Sequence, residues 1–127
     1  MSEPFSPAKQ AMRRLTSIEI AALAALVKKL PESLRWQVLE DLRACTVQEA
    51  QPEGTRLTIF IPGYDRPQYS GQHAVGGGGV LSDSDGESVD VTLFADENDR
   101  ILKIELLKWA PAPLHSANWN TFRVACE

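Results

Sequence analysis

The chain has 127 residues, with 17 acidic and 13 basic side chains, a formal net charge of −4 and 43% hydrophobic residues. These values are typical of one globular domain and argue against a disordered chain. The acidic balance argues against a nucleic-acid partner, because phosphate binding depends on clustered Lys and Arg. The longest apolar run, residues 20–27, is too short to span a bilayer, and no secretory signal opens the chain, so a cytosolic protein without a membrane partner is expected.

The first third of the chain predicts two helices. Residues 1–14 show no periodicity and are expected to form a flexible arm. Thr16 and Glu19 have the spacing of a capping box, which predicts a helix over about 16–30. Pro31 separates it from a second helix over about 33–44, whose apolar stripe ends near Cys45. Such a helical hairpin must bury its apolar faces against something larger.

Two strands and a long loop are expected next. Residues 46–50 and 55–61 are predicted strands, the second because Leu57, Ile59 and Ile61 alternate with other residues. Residues 62–76 contain Pro, Gly, Tyr and Asp without a period and indicate a surface loop.

The glycine run at 76–79 leads into a short predicted strand over about 78–82. A phosphate-binding loop would need Lys and Ser or Thr after the last glycine, but Val80 and Leu81 follow. A flexible turn or a bulged edge strand is the better interpretation. Asp85-Gly86 is interpreted as a hairpin turn rather than a calcium loop, because the glycine comes too early for an EF-hand. No metal or cofactor is therefore predicted.

Residues 87–109 carry the strongest structural signal. Val89, Val91 and Leu93 recur at period two and predict a strand over 87–95, and residues 96–99 predict a turn. A second strand over 100–109 follows, in which Leu102, Ile104 and Leu106 form one face. Leu107 and Trp109 add apolar weight to the opposite face.

The remaining residues form a C-terminal tail over 110–127. Its aromatic residues, Trp119 and Phe122, are expected to fold onto the body or to form an adhesive surface. Cys45 and Cys126 lack metal-ligand spacing and are expected to be reduced packing residues.

The fold class expected from these elements is α+β. The helical hairpin should pack on one face of an antiparallel sheet of about five strands, arranged as a meander. Residues 15–127 should form a single domain.

The stretch from Gly79 to Leu114 also resembles a family of small bacterial domains of unknown function found among immunity-type proteins. The resemblance lies in the Asp85-Gly86 turn, the alternating strand at 89–93, the acidic turn, the closing run at 101–109 and Pro113-Leu114. It implies a cytosolic immunity protein that binds and neutralises a cognate bacterial toxin without catalysis. A toxin nuclease with a basic cleft would be a suitable partner, because an acidic inhibitor is steered to such a cleft.

The residues expected to contact this partner are acidic residues at the two hairpin turns and tyrosines of the long loop. They are Asp83, Asp85, Glu87, Asp90, Asp96, Glu97, Tyr64 and Tyr69. Successive turns of antiparallel strands point to opposite ends of a sheet, so two acidic patches are expected, of which one could centre an interface.

Two other functions stay open at this point. One is a structural or adaptor domain that binds a protein through a free sheet edge or the aromatic tail. The other is a small-molecule enzyme that uses His73 with loop residues, although the sequence has no recognisable nucleophile motif for that histidine.

Overall fold

The computed structural model describes residues 12–49, 55–68 and 71–125. Within these ranges the chain forms two α-helices and seven β-strands. In chain order they are β1 (Met12–Arg14), α1 (Ser17–Val27), α2 (Glu32–Ala44), β2 (Thr46–Glu49), β3 (Arg56–Phe60), β4 (His73–Asp83), β5 (Ser88–Ala95), β6 (Ile101–Lys108) and β7 (Ala117–Val124). The α+β class is confirmed, with both helices near the N-terminus.

The sheet contains seven strands, so the expectation of about five is wrong. All neighbouring strands are antiparallel, and their order is β1-β2-β3-β6-β5-β4-β7. Strands β4, β5 and β6 do form a meander, but the whole sheet does not, because β3 pairs with β6 and β7 pairs with β4. Alternation of apolar residues shows that a strand exists, but it does not select the neighbour of that strand.

The two additional strands lie at the edges of the sheet. Residues 12–14 form β1, which pairs with β2, and are therefore not part of an arm that extends to residue 14. Three residues are too few to show a period. Part of the predicted tail forms β7. The alternation of half-buried and exposed residues along β7 is interrupted in the middle of the strand, where its pairing with β4 shifts register between Val80 and Ser82.

Element bounds differ from the expected ones where the chain bends. Helix α1 ends at Val27 rather than near residue 30. Strand β4 begins at His73 and includes the glycine run, so the loop expected over 62–76 is shorter. At the start of β6 the buried residue is Ile101 and not Leu102, which the alternation predicts. The reason is that the pairing register with β5 shifts between Phe94 and Ala95.

The start of α1 follows the capping pattern. The Thr16 hydroxyl accepts a hydrogen bond from the Glu19 N–H at 3.1 Å, and Glu19 Oε1 accepts one from the Thr16 N–H at 2.8 Å. Arg13 on β1 also donates two hydrogen bonds of 2.9 Å to the Glu19 carboxylate. The first turn of the helix is thereby tied to the edge of the sheet.

The hydrophobic core lies between the helices and one face of the sheet. Alternating residues of β5 (Val89, Val91 and Leu93) are at most 1% exposed. Helix α1 packs against β4 and β7, and α2 packs against β6. The fully buried side chains of the helices are Leu23, Leu26, Val27, Val38 and Leu42. The opposite face of the sheet carries the half-buried and exposed residues of each strand.

The glycine run lies inside a strand that has a neighbour on each side. It is bulged, as the register shift between Val75 and Gly79 shows, but β4 is not an edge strand. Gly76 has a φ of +74°, and a Cβ at this position would lie 2.5 Å from the carbonyl oxygen of Leu26. A Cβ at Gly79 would lie 2.4 Å from the Phe122 ring. Small residues are needed here because α1 and the Phe122 side chain approach β4 so closely.

Cys45 is buried in the core, and burial raises the pKa of its thiol to about 11. Cys126 lies outside the described residues. Over the ranges that the structure describes, neither helix is long and apolar enough to cross a membrane.

Candidate functional site

The acidic residues selected from the sequence lie at two opposite ends of the sheet. Asp83, Asp85 and Glu87 surround the turn between β4 and β5, and Asp96 and Glu97 follow the other end of β5. Because β5 has eight residues, the two turns are roughly 25 Å apart. The five carboxylates at these turns therefore cannot act as one surface.

Asp83 is a buried structural residue and is not available to a partner. It is 2% exposed, and its carboxylate accepts backbone N–H donors from Ser84, His115 and Ser116 at 2.7–2.9 Å. Lys108 Nζ lies 2.8 Å from the same carboxylate. Burial alone would raise the pKa of Asp83, but these donors hold it far below its ordinary value of 3.8. An inward position in β4 places its side chain beneath the 113–116 segment, so Asp83 is buried where the sequence predicts an exposed contact residue.

Asp85 is more exposed, but its charge is already paired. Lys108 Nζ lies 2.5 Å from Asp85 Oδ2 and also donates to the Pro113 carbonyl at 3.0 Å. The hydrogen bond from Lys108 lowers the pKa of Asp85. Asp85 therefore fixes the turn together with Lys108, and less of its charge is left for a partner.

Asp96 has the corresponding structural role at the other end of the sheet. It is fully buried, and it accepts hydrogen bonds from the Tyr64 hydroxyl at 2.7 Å, Arg66 at 2.9 Å and the Asn98 N–H at 2.8 Å. Burial alone would raise the pKa of Asp96, but these donors lower it below the ordinary value. Asp96 is thus also buried where the sequence predicts an exposed contact residue.

Tyr64 belongs to the same network and does not project freely from a loop. The guanidinium of Arg100 lies 4.3 Å from the Tyr64 ring centroid, and Arg100 forms two hydrogen bonds to Asp41 of α2, of 2.8 and 3.0 Å. Burial, with the hydrogen bond to Asp96, raises the pKa of the Tyr64 hydroxyl. This cluster joins α2, the 61–68 segment and the turn after β5.

The other predicted contact residues have different settings. Glu87 and Glu97 are exposed, and Asp90 is half-buried on β5. Tyr69 lies outside the described residues. Among the described residues, Glu87, Asp90 and Glu97 form no ion pair, so no described cationic side chain contacts their carboxylates.

Asp90 lies beside two large apolar side chains on the face of the sheet that the helices do not cover. Its register partner on β6 is Leu107, which is 69% exposed, and Trp109 is 63% exposed. Side chains directly opposite each other on antiparallel strands are neighbours. Trp109 Nε1 donates a hydrogen bond of 2.9 Å to Asp90 Oδ1, which orients the indole. We call Asp90, Leu107 and Trp109 the Trp109 patch.

The sequence carries a signal for this patch in the spacing of Leu107 and Trp109. Leu107 and Trp109 follow Lys103 and Glu105 at period two, which places all four side chains on the solvent face. Large apolar residues at such positions are candidates for binding. A groove of about 440 Å³ lies beside Leu107 and is lined by Thr55, Arg56, Glu105, Leu106, Leu107, Lys108, Ala112, Pro113 and Leu114.

A second groove lies between α1 and β7. It has a volume of about 400 Å³ and is lined by Ser17, Ile18, Ala21, Ala22, Ala25, Trp119, Asn120, Phe122, Arg123 and Val124. Trp119 and Phe122 stack with ring centroids 6.2 Å apart and pack partly against the core. The aromatic residues of the predicted tail are thus part of the fold and one wall of a groove.

A smaller polar cavity of about 260 Å³ opens near the start of α1. Its lining includes Arg13, Glu19, Glu49, His115 and Trp119. Arg13 is within hydrogen-bonding distance of both Glu19 and Glu49, so one guanidinium is shared by two carboxylates.

His73 is paired on the surface with Asp99. Its Nε2 lies 3.0 Å from Asp99 Oδ1, and both side chains are about half exposed. Asp99 has a positive φ of 61° at the end of the turn before β6. Over the described ranges, no group of three or more His, Cys, Asp or Glu residues is placed to hold a metal ion.

Comparison with known proteins gives one result. The sequence profile of a family described as "Domain of unknown function (DUF6984)" matches residues 12–118, which cover every element from β1 to the start of β7. No curated protein and no solved structure matches the chain.

Proposed function

This chain belongs to the DUF6984 family, and from the geometry of its exposed surface we propose that it is an immunity protein. In this proposal it binds and neutralises a cognate bacterial toxin in the cytosol, without catalysis of its own. The Trp109 patch is the binding surface.

The observation that carries the proposal is the composition of the Trp109 patch. Two large apolar side chains, 69% and 63% exposed, lie beside a half-buried carboxylate that has no ion pair within the described chain. Exposed Trp residues supply much of the binding energy in protein interfaces, because they bring a large rigid surface with little loss of rotamer entropy. A patch of this kind supports recognition of a protein better than recognition of a small molecule.

The charge of the molecule supports a basic partner. The net charge is −4, and Glu87 after the β4–β5 turn adds a carboxylate near the patch that forms no ion pair with the described residues. Acidic surfaces steer basic proteins and accelerate their association. A toxin nuclease with a basic substrate cleft fits this charge.

The experiment is co-expression of the chain with the gene immediately upstream of its own in its native genome. Tolerance of an otherwise toxic product supports the proposal. The double variant Leu107→Ser, Trp109→Ala should lose protection, because it removes the apolar anchors. Trp36→Ala is the matched control, since Trp36 is 69% exposed on α2, away from the patch.

Both variants should unfold at the temperature of the wild type, since they change exposed side chains. Full protection by the double variant would contradict a role for the patch. Growth inhibition that the wild-type chain does not relieve would contradict the neutralisation of that product.

An adaptor function is the second candidate, and the free edge of β7 together with the groove between α1 and β7 favours it. Strand β7 is an edge strand of eight residues, and partner strands add to such edges. Ala22→Arg would fill the groove with a charged side chain and should abolish adaptor binding. The same variant should leave toxin neutralisation through the Trp109 patch intact, so it separates the two functions.

A further inference from the structure

The exposed indole of Trp109 is held in a fixed orientation. Its N–H is satisfied by Asp90 Oδ1 at 2.9 Å, and the backbone N–H of Trp109 donates to the Ser88 carbonyl at 2.9 Å. Because its one polar group is already bonded, the exposed part of the ring is an apolar π surface. Such a surface attracts cations through its quadrupole.

Asp90 adds a negative charge directly beside this ring. One of its oxygens accepts the indole N–H, and no ion pair to either oxygen exists within the described chain. The cross-strand neighbours of Asp90 are Leu107 on β6 and Val80 on β4, both apolar. The nearest cation along this row is Arg123, which is the register partner of Val80 and lies two strands from Asp90, roughly 10 Å away.

Ring and carboxylate together complement a planar cation. A guanidinium can stack on an indole while its edge donates hydrogen bonds to a carboxylate, whereas an ammonium group can do only one of these well. Leu107 lies in register with Asp90 and can contact the aliphatic stem of an arginine side chain.

We infer that the Trp109 patch is a seat for an arginine side chain of the protein partner, stacked on Trp109 and hydrogen-bonded to Asp90. The inference rests on the proposed function for the existence of that partner, but the seat itself can be tested without it.

The test uses the full chain and two small probes, N-acetylarginine amide and the N-acetyl amide of citrulline. Citrulline has nearly the shape of arginine but no charge. The readout is the nuclear magnetic resonance signal of the Trp109 indole N–H, assigned with a Trp109→Phe variant. Saturable shifts at millimolar concentration with the arginine probe, and binding about fivefold weaker with citrulline, are expected.

Asp90→Asn should weaken the arginine response about fivefold while the fold is retained, because the carboxylate is lost and the side-chain shape is kept. Glu97→Gln is the matched control and should leave the response unchanged, since Glu97 is exposed at the opposite end of β5. Equal responses to arginine and citrulline, or a full response in Asp90→Asn, would overturn the inference.

The two proposals fail separately. If the double patch variant loses protection but the probes do not discriminate, the patch binds the toxin without an arginine in this seat. If the probes discriminate but the double variant still protects, the seat exists and the proposed use of the patch in neutralisation is wrong.

Discussion

The buried aspartates Asp83, at the end of β4, and Asp96, directly after β5, connect segments that are distant in sequence. The Asp83 carboxylate forms an ion pair with Lys108 and accepts hydrogen bonds from the N–H groups of His115 and Ser116. The Asp96 carboxylate accepts hydrogen bonds from the Tyr64 hydroxyl and the Arg66 guanidinium. A buried carboxylate is stable only when its oxygens have donors, and both residues meet this condition with several.

We predict that Asp83→Ala lowers the free energy of unfolding by about 3 kcal/mol, because it leaves backbone donors and a buried ammonium group without their acceptor. Denaturation in urea at pH 7 measures the change. Glu97→Ala removes an exposed carboxylate and should change stability by less than about 0.5 kcal/mol. Equal effects of the two substitutions would show that the contacts of Asp83 contribute little.

The same carboxylates predict a loss of stability in acid. The pKa values of Asp83 and Asp96 are below their ordinary value of 3.8 in the folded protein. Their contribution is therefore fully present above the ordinary pKa and is lost as the pH falls through 3.8 towards the lower folded-state values. Urea denaturation at pH 7, 5, 4 and 3 should show this decline below pH 5, and Asp83→Asn should make it less steep. An unchanged slope in Asp83→Asn would contradict the assignment.

At the scale of elements, the glycine run of β4 determines how closely α1 can approach the sheet. The space for a side chain at Gly76 is taken by the backbone and Cβ of Leu26. Only the absence of a Cβ allows this contact. The run therefore has a packing role, and its sequence resemblance to a nucleotide loop is superficial.

Gly76→Ala should lower the free energy of unfolding by about 3 kcal/mol or more, since it adds a clash with α1 to the backbone strain of a positive φ. Gly63→Ala is the matched control. Gly63 has nearly the same φ, +75° against +74°, but no atom lies within 4 Å of its added Cβ. This control should cost about 1 kcal/mol, from strain alone. Thermal denaturation of both variants compares them, and equal losses would contradict the contact with α1.

Strand β7 changes how a C-terminal truncation should be interpreted. Removal of residues 115–127 would delete β7 and the two N–H groups that His115 and Ser116 supply to Asp83. The truncated chain is expected to lose stability, so a loss of binding would not identify the tail as an interface. Single substitutions in the groove, such as Ala22→Arg, are the better test.

At the scale of the whole molecule, charge and the Trp109 patch should act at different stages of binding. The acidic charge accelerates encounter, and the buried contacts of the patch slow dissociation. The association rate of an identified toxin should therefore fall as the salt concentration rises, with less effect on the dissociation rate.

Glu87→Lys should reduce the association rate several-fold at low salt, because it reverses a charge near the patch. Glu97→Lys makes the same change in net charge but lies roughly 25 Å from the other turn, which exceeds the Debye length of about 10 Å at 0.1 M salt. It should have a smaller effect. Stopped-flow measurement of both variants compares them, and equal reductions would show that net charge alone, without a local surface, governs the encounter.

The sequence by itself was sufficient for the elements whose residues repeat with a clear period. The capping box at Thr16 and Glu19, the alternating core residues of β5 and the turn at Asp85-Gly86 all depend on neighbours within a few positions, so local patterns identify them. The α+β class followed from the same patterns.

Only the tertiary structure decided the strand order, the two edge strands and the use of each acidic residue. Whether a carboxylate is buried or free depends on donors from distant segments. Asp83 meets Lys108 and His115, while the carboxylate of Glu87, only four positions away, meets no donor in the part of the chain that the structure describes. Strand order likewise depends on which faces fit together over the core, as in the pairing of β3 with β6 across more than forty residues. These contacts join positions far apart in the chain, and a local sequence pattern does not specify which distant residues it will contact.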